Sequence, residues 1–168
     1  SLFSRPILSQ RESEFVDEKS GVSARLSISG LENLVSNAER RAIKNKEKKT
    51  TVRITDFWGV VPAITGKLEL VYEGEQVGPY QVAMNIIGAA IKEMFLDTFP
   101  HPDDHTRKQE KDPYGTIKAW FQAGNKVDLL NDDTDKNYKK KLDAISGLKI
   151  IVSNAGIPDS QIYTFMEL

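Results

Sequence analysis

The sequence contains no cysteine. That excludes a disulfide framework, thiolate catalysis and cysteine-ligated zinc, and it fits a reducing compartment, so a cytoplasmic location is expected. No apolar run approaches the roughly 20 residues that a membrane-spanning helix needs, and no membrane partner is expected. The first ten residues, SLFSRPILSQ, lack the long apolar core of a secretory signal. An excess of one charge is missing too: 23 Lys and Arg stand against 24 Asp and Glu. Bulk charge therefore gives no argument for nucleic acid. The G-x-x-x-x-G-K-[ST] phosphate loop does not occur, nor does an apolar strand ending in an acidic pair. The chain lacks the parts that hold nucleotide phosphates and orient water. There is no internal repeat and no low-complexity segment.

What is present suits a folded chain. Its 168 residues, 39% hydrophobic and 28% charged, are enough for one ordinary domain or two small ones. The chain opens on serine. With no nucleotide-binding loop, that points to a piece of a longer protein, although a processed native N-terminus would look the same.

Periodicity predicts a mainly α-helical protein. Leu31, Leu34, Val35, Ala38 and Ala42 share one face of a helix from about Gly30 to Asn45. Ser29 and Glu32 make a capping box at its start, and Arg40, Arg41 and Lys44 favour its C-terminal end. Lys46–Thr51 is a polar loop. Thr55-Asp56 is the next N-cap signal, opening Phe57–Thr65, where Pro62 predicts a bend and Gly66 an end. Val52–Ile54 and the alternating Lys67–Tyr72 have room to pair as a short β-ribbon, with continued helix competing over 67–73. Pro79 opens the strongest helix, to about Asp97. It carries a double stripe of Val82, Ala83, Ile86, Ile87, Ala90, Ile91, Met94 and Phe95. An exposed, charged loop is expected over 101–113. Short helices follow at Tyr114–Phe121, from Asn131–Asp135 to about Ile145, at Leu148–Ala155 and after Pro158, with a short strand at Val127–Leu130.

Few residues invite chemistry. The run Arg40, Arg41, Lys44, Lys46, Lys48, Lys49 and Arg53 has no aromatic neighbour until Phe57, so it reads as a solvated helix end and loop rather than a nucleic-acid patch. A contact with a neighbouring subunit is an intermediate reading. His101, Asp103, Asp104 and His105 have metal-ligand side chains at a spacing that fits no well-characterised site. Glu69, Glu73 and Glu75 are explained by a half-buried strand or a solvated face without catalysis. Trp58, Trp120 and Phe121 are expected in the core or at a subdomain interface. The plain reading of Arg25 is an arginine near a helix start, paired with Asp17, Glu18 or Glu32.

The stretch Ser20–Gln76 changes the reading of Arg25. Gly21-Val22-Ser23-Ala24-Arg25 resembles the sensor-2 segment of AAA+ ATPases, in the group containing the ATPase subunit of magnesium chelatase and the MoxR-type ATPases. Ala38–Ala42 with the loop after it, the run VRITDFWGVVPA at Val52–Ala63, and GKLELVYEGEQ at Gly66–Gln76 are similar to tracts of the same lid. The likeness spans residues 15–97 and continues more loosely over 113–168. It implies an AAA+ lid-type helical subdomain at 1–76 and a helical C-terminal extension at 77–168. In that family the lid packs over the nucleotide and its arginine reaches the phosphates. Arg25 is then the nucleotide-sensing residue, and no catalytic residue and no metal ligand lies in this chain. ATP and Mg would bind the intact protein, an ATPase working as an oligomeric ring. Its partners would be ring neighbours and a protein with a von Willebrand factor A-like domain, and it would remodel a client. This chain alone would not hydrolyse ATP. The alternative is a free-standing helical module that binds protein or nucleic acid.

Overall fold

Apolar residues recur every three or four positions, and the structure that results is helical. A computed structural model describes residues 24–66, 77–102 and 112–168, with the backbone alone for 24–27. Among these residues there are seven α-helices and no strand: α1 Ala24–Asn45, α2 Val61–Thr65, α3 Pro79–Thr98, α4 Gly115–Gln122, α5 Asp135–Asp143, α6 Leu148–Asn154 and α7 Ile162–Met166. Two 3-10 helices, Ile54–Val60 and Asp159–Gln161, lead into α2 and α7. No helix among the described residues is long and apolar enough to cross a membrane.

Contacts divide the chain into two units, and the division does not follow chain order. One takes the chain up to Arg40 and returns at Thr55–Met94; the other takes Arg41–Ile54 and Phe95–Leu168. The loop after α1 therefore belongs to the unit that holds the C-terminus.

In the first unit, α1 runs through the expected start. Ser29 is an interior residue of a helix spanning Ala24–Asn45, so the Ser29–Glu32 pair does not mark its N-terminus. No Gly or Pro stands between Ala24 and Ser29 to interrupt the ladder, and Gly30, Leu34 and Ala38 lie buried at a spacing of four. Leu31 and Val35, expected inside, stay 48% and 39% exposed. The second helical stretch also differs from expectation. Ile54–Val60 is a 3-10 helix, and the α-helical turn begins only at Val61, with Pro62 at its start. Proline suits that first turn because its missing N–H would have had no partner there. The Thr55 hydroxyl makes no hydrogen bond among the described residues and caps nothing. Gly66 closes α2 with an ordinary right-handed φ of −73°. Asn37 of α1 donates its side-chain N–H to the carbonyl of Asp56 at 3.2 Å. Gly59 sits so close to that amide that a Cβ there would overlap it. The stripe on α3 is as expected for Val82, Ala83, Ile86, Ile87, Ala90 and Met94, all buried.

In the second unit, α5 begins at Asp135, and the Thr134 hydroxyl accepts from the Asn137 N–H at 3.2 Å. Gly147, at φ +86°, turns the chain into α6, and a Cβ there would lie 2.9 Å from that of Thr116. Both features require glycine. Tyr138, Leu142, Ile145, Val152, Phe165 and Met166 are buried.

Neither strand expected from the described residues forms. Val52 and Arg53 have no regular structure and Ile54 is already 3-10. Their ladder groups are used by side chains: Thr164 Oγ1 donates to the Val52 carbonyl, and the Ile54 N–H donates to Glu167. Val127–Leu130 is irregular for the same reason, with Lys141 Nζ donating to the Asp128 carbonyl and the Leu130 N–H donating to Asp133. The other half of the expected ribbon, Lys67–Tyr72, lies outside the described residues.

Candidate functional site

Arg25 belongs to α1, which begins ahead of the start expected at about Gly30. Its side chain lies outside what the structure describes. What is described is the frame: a 22-residue helix carrying Arg25 near one end, fastened by Asn37 to the Asp56 carbonyl in the 3-10 helix that runs into α2. Arg40 Nη2 donates to the Asn37 side-chain oxygen at 2.9 Å, which leaves the Asn37 N–H directed at Asp56.

The basic run is solvated except at two arginines. Arg41 is 3% exposed and Arg53 is 1% exposed. Arg41 Nη2 donates to Thr50 Oγ1 at 3.2 Å and to the Thr51 carbonyl at 2.7 Å, drawing the loop back onto the helix end. Lys44 pairs with Asp132. The loop starts with Lys46 at φ +57°, the Glu47 N–H bonded to the Ala42 carbonyl and the Lys46 N–H bonded to the Ile43 carbonyl. That is a Schellman closure with a lysine in the left-handed position that glycine prefers. Glu47 Oε1 then accepts the Asp135 N–H at the start of α5, at 2.7 Å. Lys46, Lys48 and Lys49 remain exposed. Charge alone could not separate the two buried arginines from these lysines. The available signals were the helical spacing of Arg41 from the buried Leu34 and Ala38, and the place of Arg53 between Val52 and Ile54.

Arg53 is the centre of this arrangement. Its guanidinium carbon lies 4.0 Å above the Tyr138 ring, and Nη1 donates to the Asp133 carbonyl at 2.9 Å. The Tyr138 hydroxyl has Glu167 Oε2 at 2.9 Å and the Tyr163 carbonyl at 3.1 Å as acceptors. The same Glu167 oxygen accepts the Ile54 N–H at 2.7 Å. Burial, and then the neighbouring Glu167 carboxylate, push the phenol of Tyr138 well above its ordinary range. Asp133 goes the other way. Burial would raise it, but hydrogen bonds from Lys141 and from the Leu130 N–H, with the charges of Lys141 and Arg53, hold it below the usual carboxylate range. An arginine stacked on an aromatic and bonded to a carbonyl is a fastening.

The second unit also has a cavity of about 320 Å³. Phe95, Phe99, Tyr114 and Phe165 line it with Ile151 and Val152. Phe95 stacks obliquely on Phe99 and Tyr114, with centroids 5.2 and 6.1 Å away. Two polar side chains at the wall are engaged. The Tyr114 hydroxyl donates to the Pro100 carbonyl at 2.6 Å, and Lys118 pairs with Asp112 at 2.8 Å. Burial, with Asp112 adding, raises the phenol of Tyr114. Such a cavity accepts an apolar group.

The remaining candidates do not converge. His101 is exposed, and Asp103, Asp104 and His105 lie outside the described residues, as do Glu69, Glu73 and Glu75. No three His, Asp or Glu side chains among the described residues come together to hold a metal ion. Trp58 and Phe121, expected in the core or at a subdomain interface, are 49% and 47% exposed, while Trp120 is half-buried and meets Phe121 edge to face. No protein-family model matches the chain, and no curated protein or solved structure matches it either.

Proposed function

We propose that this chain is the lid and C-terminal region of a magnesium-chelatase-like or MoxR-like AAA+ ATPase, which senses bound nucleotide and couples its hydrolysis to remodelling of a partner protein. The observation that carries the reading is α1 itself: Arg25 lies on a long helix that Asn37 ties to the segment carrying Pro62. A charge on such a helix moves with the lid. An arginine suits a phosphate because its planar fork stays charged and pairs with two oxygens at once. Loss of the terminal phosphate weakens that pairing, which gives the lid a different preferred position with ATP than with ADP. In this reading the chain brings a cation, Arg25, to Mg-bound ATP. The phosphate loop and acidic pair would come from a nucleotide-binding half. Ring neighbours and a von Willebrand factor A-like protein are the partners this reading implies.

The test is Arg25→Ala in a protein that also carries the nucleotide-binding half. Loss of a charge-assisted phosphate contact, roughly 1.5–3 kcal/mol, lowers ATP hydrolysis about tenfold or more. Unchanged hydrolysis together with unchanged ring assembly would overturn the assignment.

One observation favours the second reading, a free-standing interaction module: the apolar cavity of the C-terminal unit could receive a partner's side chain. Burial of Arg41 and Arg53 and the pairing of Lys44 speak against its nucleic-acid form. Tight, strongly salt-dependent binding of nucleic acid by this chain alone would reverse that judgement.

A further inference from the structure

We infer that Glu167 is a latch: its carboxylate caps the distant 3-10 helix Ile54–Val60, and the end of the chain thereby sets the conformation of loop 46–54. The loop cannot do this locally. Its Schellman turn and the Arg41 bonds organise it only as far as Thr51. From Val52 on, partners come from far along the chain. Thr164 Oγ1 donates to the Val52 carbonyl at 3.3 Å, Arg53 Nη1 donates to the Asp133 carbonyl, and the Ile54 N–H donates to Glu167 Oε2 at 2.7 Å. The first N–H groups of a helix have no partner within it, and a carboxylate is a strong one because the bond is charge-assisted. Such a cap normally comes from the residue just before the helix. Here it comes from 113 residues later.

The Tyr138 hydroxyl holds the carboxylate in place at 2.9 Å, and the Tyr138 ring carries Arg53 on its face. Arg53, Ile54, Tyr138 and Glu167 thus act together: letting go of Glu167 releases Ile54 directly and removes one of the two acceptors of the Tyr138 hydroxyl, whose ring lies beneath Arg53. One consequence rests on the lid assignment. Loop 46–54 joins the Arg25 helix to the segment carrying Pro62, so in an AAA+ lid the latch would set the conformation of that joint.

Hydrogen exchange of the intact chain, without nucleotide, tests the latch apart from the lid assignment. In Glu167→Ala the Ile54 amide should exchange at least about tenfold faster, while amides in the middle of α1 and α6 keep their rates. Glu167→Gln keeps an acceptor oxygen and should stay within about threefold of the parent. Tyr138→Phe removes only the hydroxyl, so a rise at Ile54 without a rise at Val152 supports the latch even if Glu167→Ala does not fold. An unchanged Ile54 rate in a folded Glu167→Ala chain overturns the inference. So does a uniform rise at all amides in Tyr138→Phe, which would make these residues ordinary core. A latch seen by exchange, with hydrolysis indifferent to Arg25→Ala, would remove the lid assignment and leave the latch standing.

Discussion

The Arg53 guanidinium lies 4.0 Å over the ring of Tyr138, with the arginine 1% and the tyrosine 2% exposed. A charge so deeply placed persists only because the ring face, the Asp133 carbonyl and the surrounding polar groups replace its water. Arg53→Ala leaves those groups facing a void. Equilibrium unfolding in urea should show a loss of about 3 kcal/mol, within the range for removing one partner of a buried charged contact.

Gly59 and Asn37 make a coupled pair. Gly59→Ala pushes a methyl group into the Asn37 amide and should cost about 1–3 kcal/mol. Asn37→Ala loses the bond to the Asp56 carbonyl, about 1 kcal/mol. The double variant relieves the overlap, so its loss should fall short of the sum of the two. Additive losses would mean that the methyl group is resisted by something other than Asn37.

Lys46 occupies a backbone conformation, φ +57°, that costs a side chain about 1 kcal/mol. Lys46→Gly should therefore raise stability by up to about that amount, less the extra freedom glycine gives the unfolded chain. A rise of the urea midpoint at constant slope is the expected signature.

Alkaline stability should depend on Tyr138. Its phenol is held neutral by burial and by Glu167, above its ordinary value of 10.0. The neutral form is thus worth more folded than unfolded. This contribution is complete below pH 10 and is lost as pH climbs above 10 toward the raised folded value. Tyr138→Phe removes the titrating group, so the slope of stability against pH above 10 should flatten.

Asp133 has the opposite sign. Its folded value lies below the ordinary 3.8, chiefly because the Lys141 hydrogen bond and the Leu130 N–H outweigh burial. Its contribution is present above about pH 4 and is lost as pH falls through the folded value. Asp133→Asn should flatten that acid limb, and so should Lys141→Met. Both are read from unfolding curves between pH 2 and 6.

Much of the helical architecture was legible without coordinates, because burial on a helix leaves a mark every three or four residues. The double stripe of α3 was read almost residue for residue. The start of α1 was not: Ser29 and Glu32 form a good local signal, but nothing between Ala24 and Ser29 stops a helix. The strands at Val52–Ile54 and Val127–Leu130 failed for a different reason. Short runs of that composition suit a ladder or a side-chain partner equally, and Glu167, Thr164, Asp133 and Lys141 were the partners present.

By itself the sequence determined that the chain is mainly helical, that it holds no disulfide, and where most turns fall, since those follow from periodicity, residue chemistry and backbone permissiveness. Tertiary structure alone decided which members of the basic run are charges in water and which are parts of the core. Arg41 and Arg53 look like Lys48 and Lys49 in one dimension. They differ because a ring, carbonyls and hydroxyls from other parts of the fold meet them and not the lysines. Solvation is a property of neighbours, and the neighbours of Arg53 are Asp133 and Tyr138, some 80 residues away.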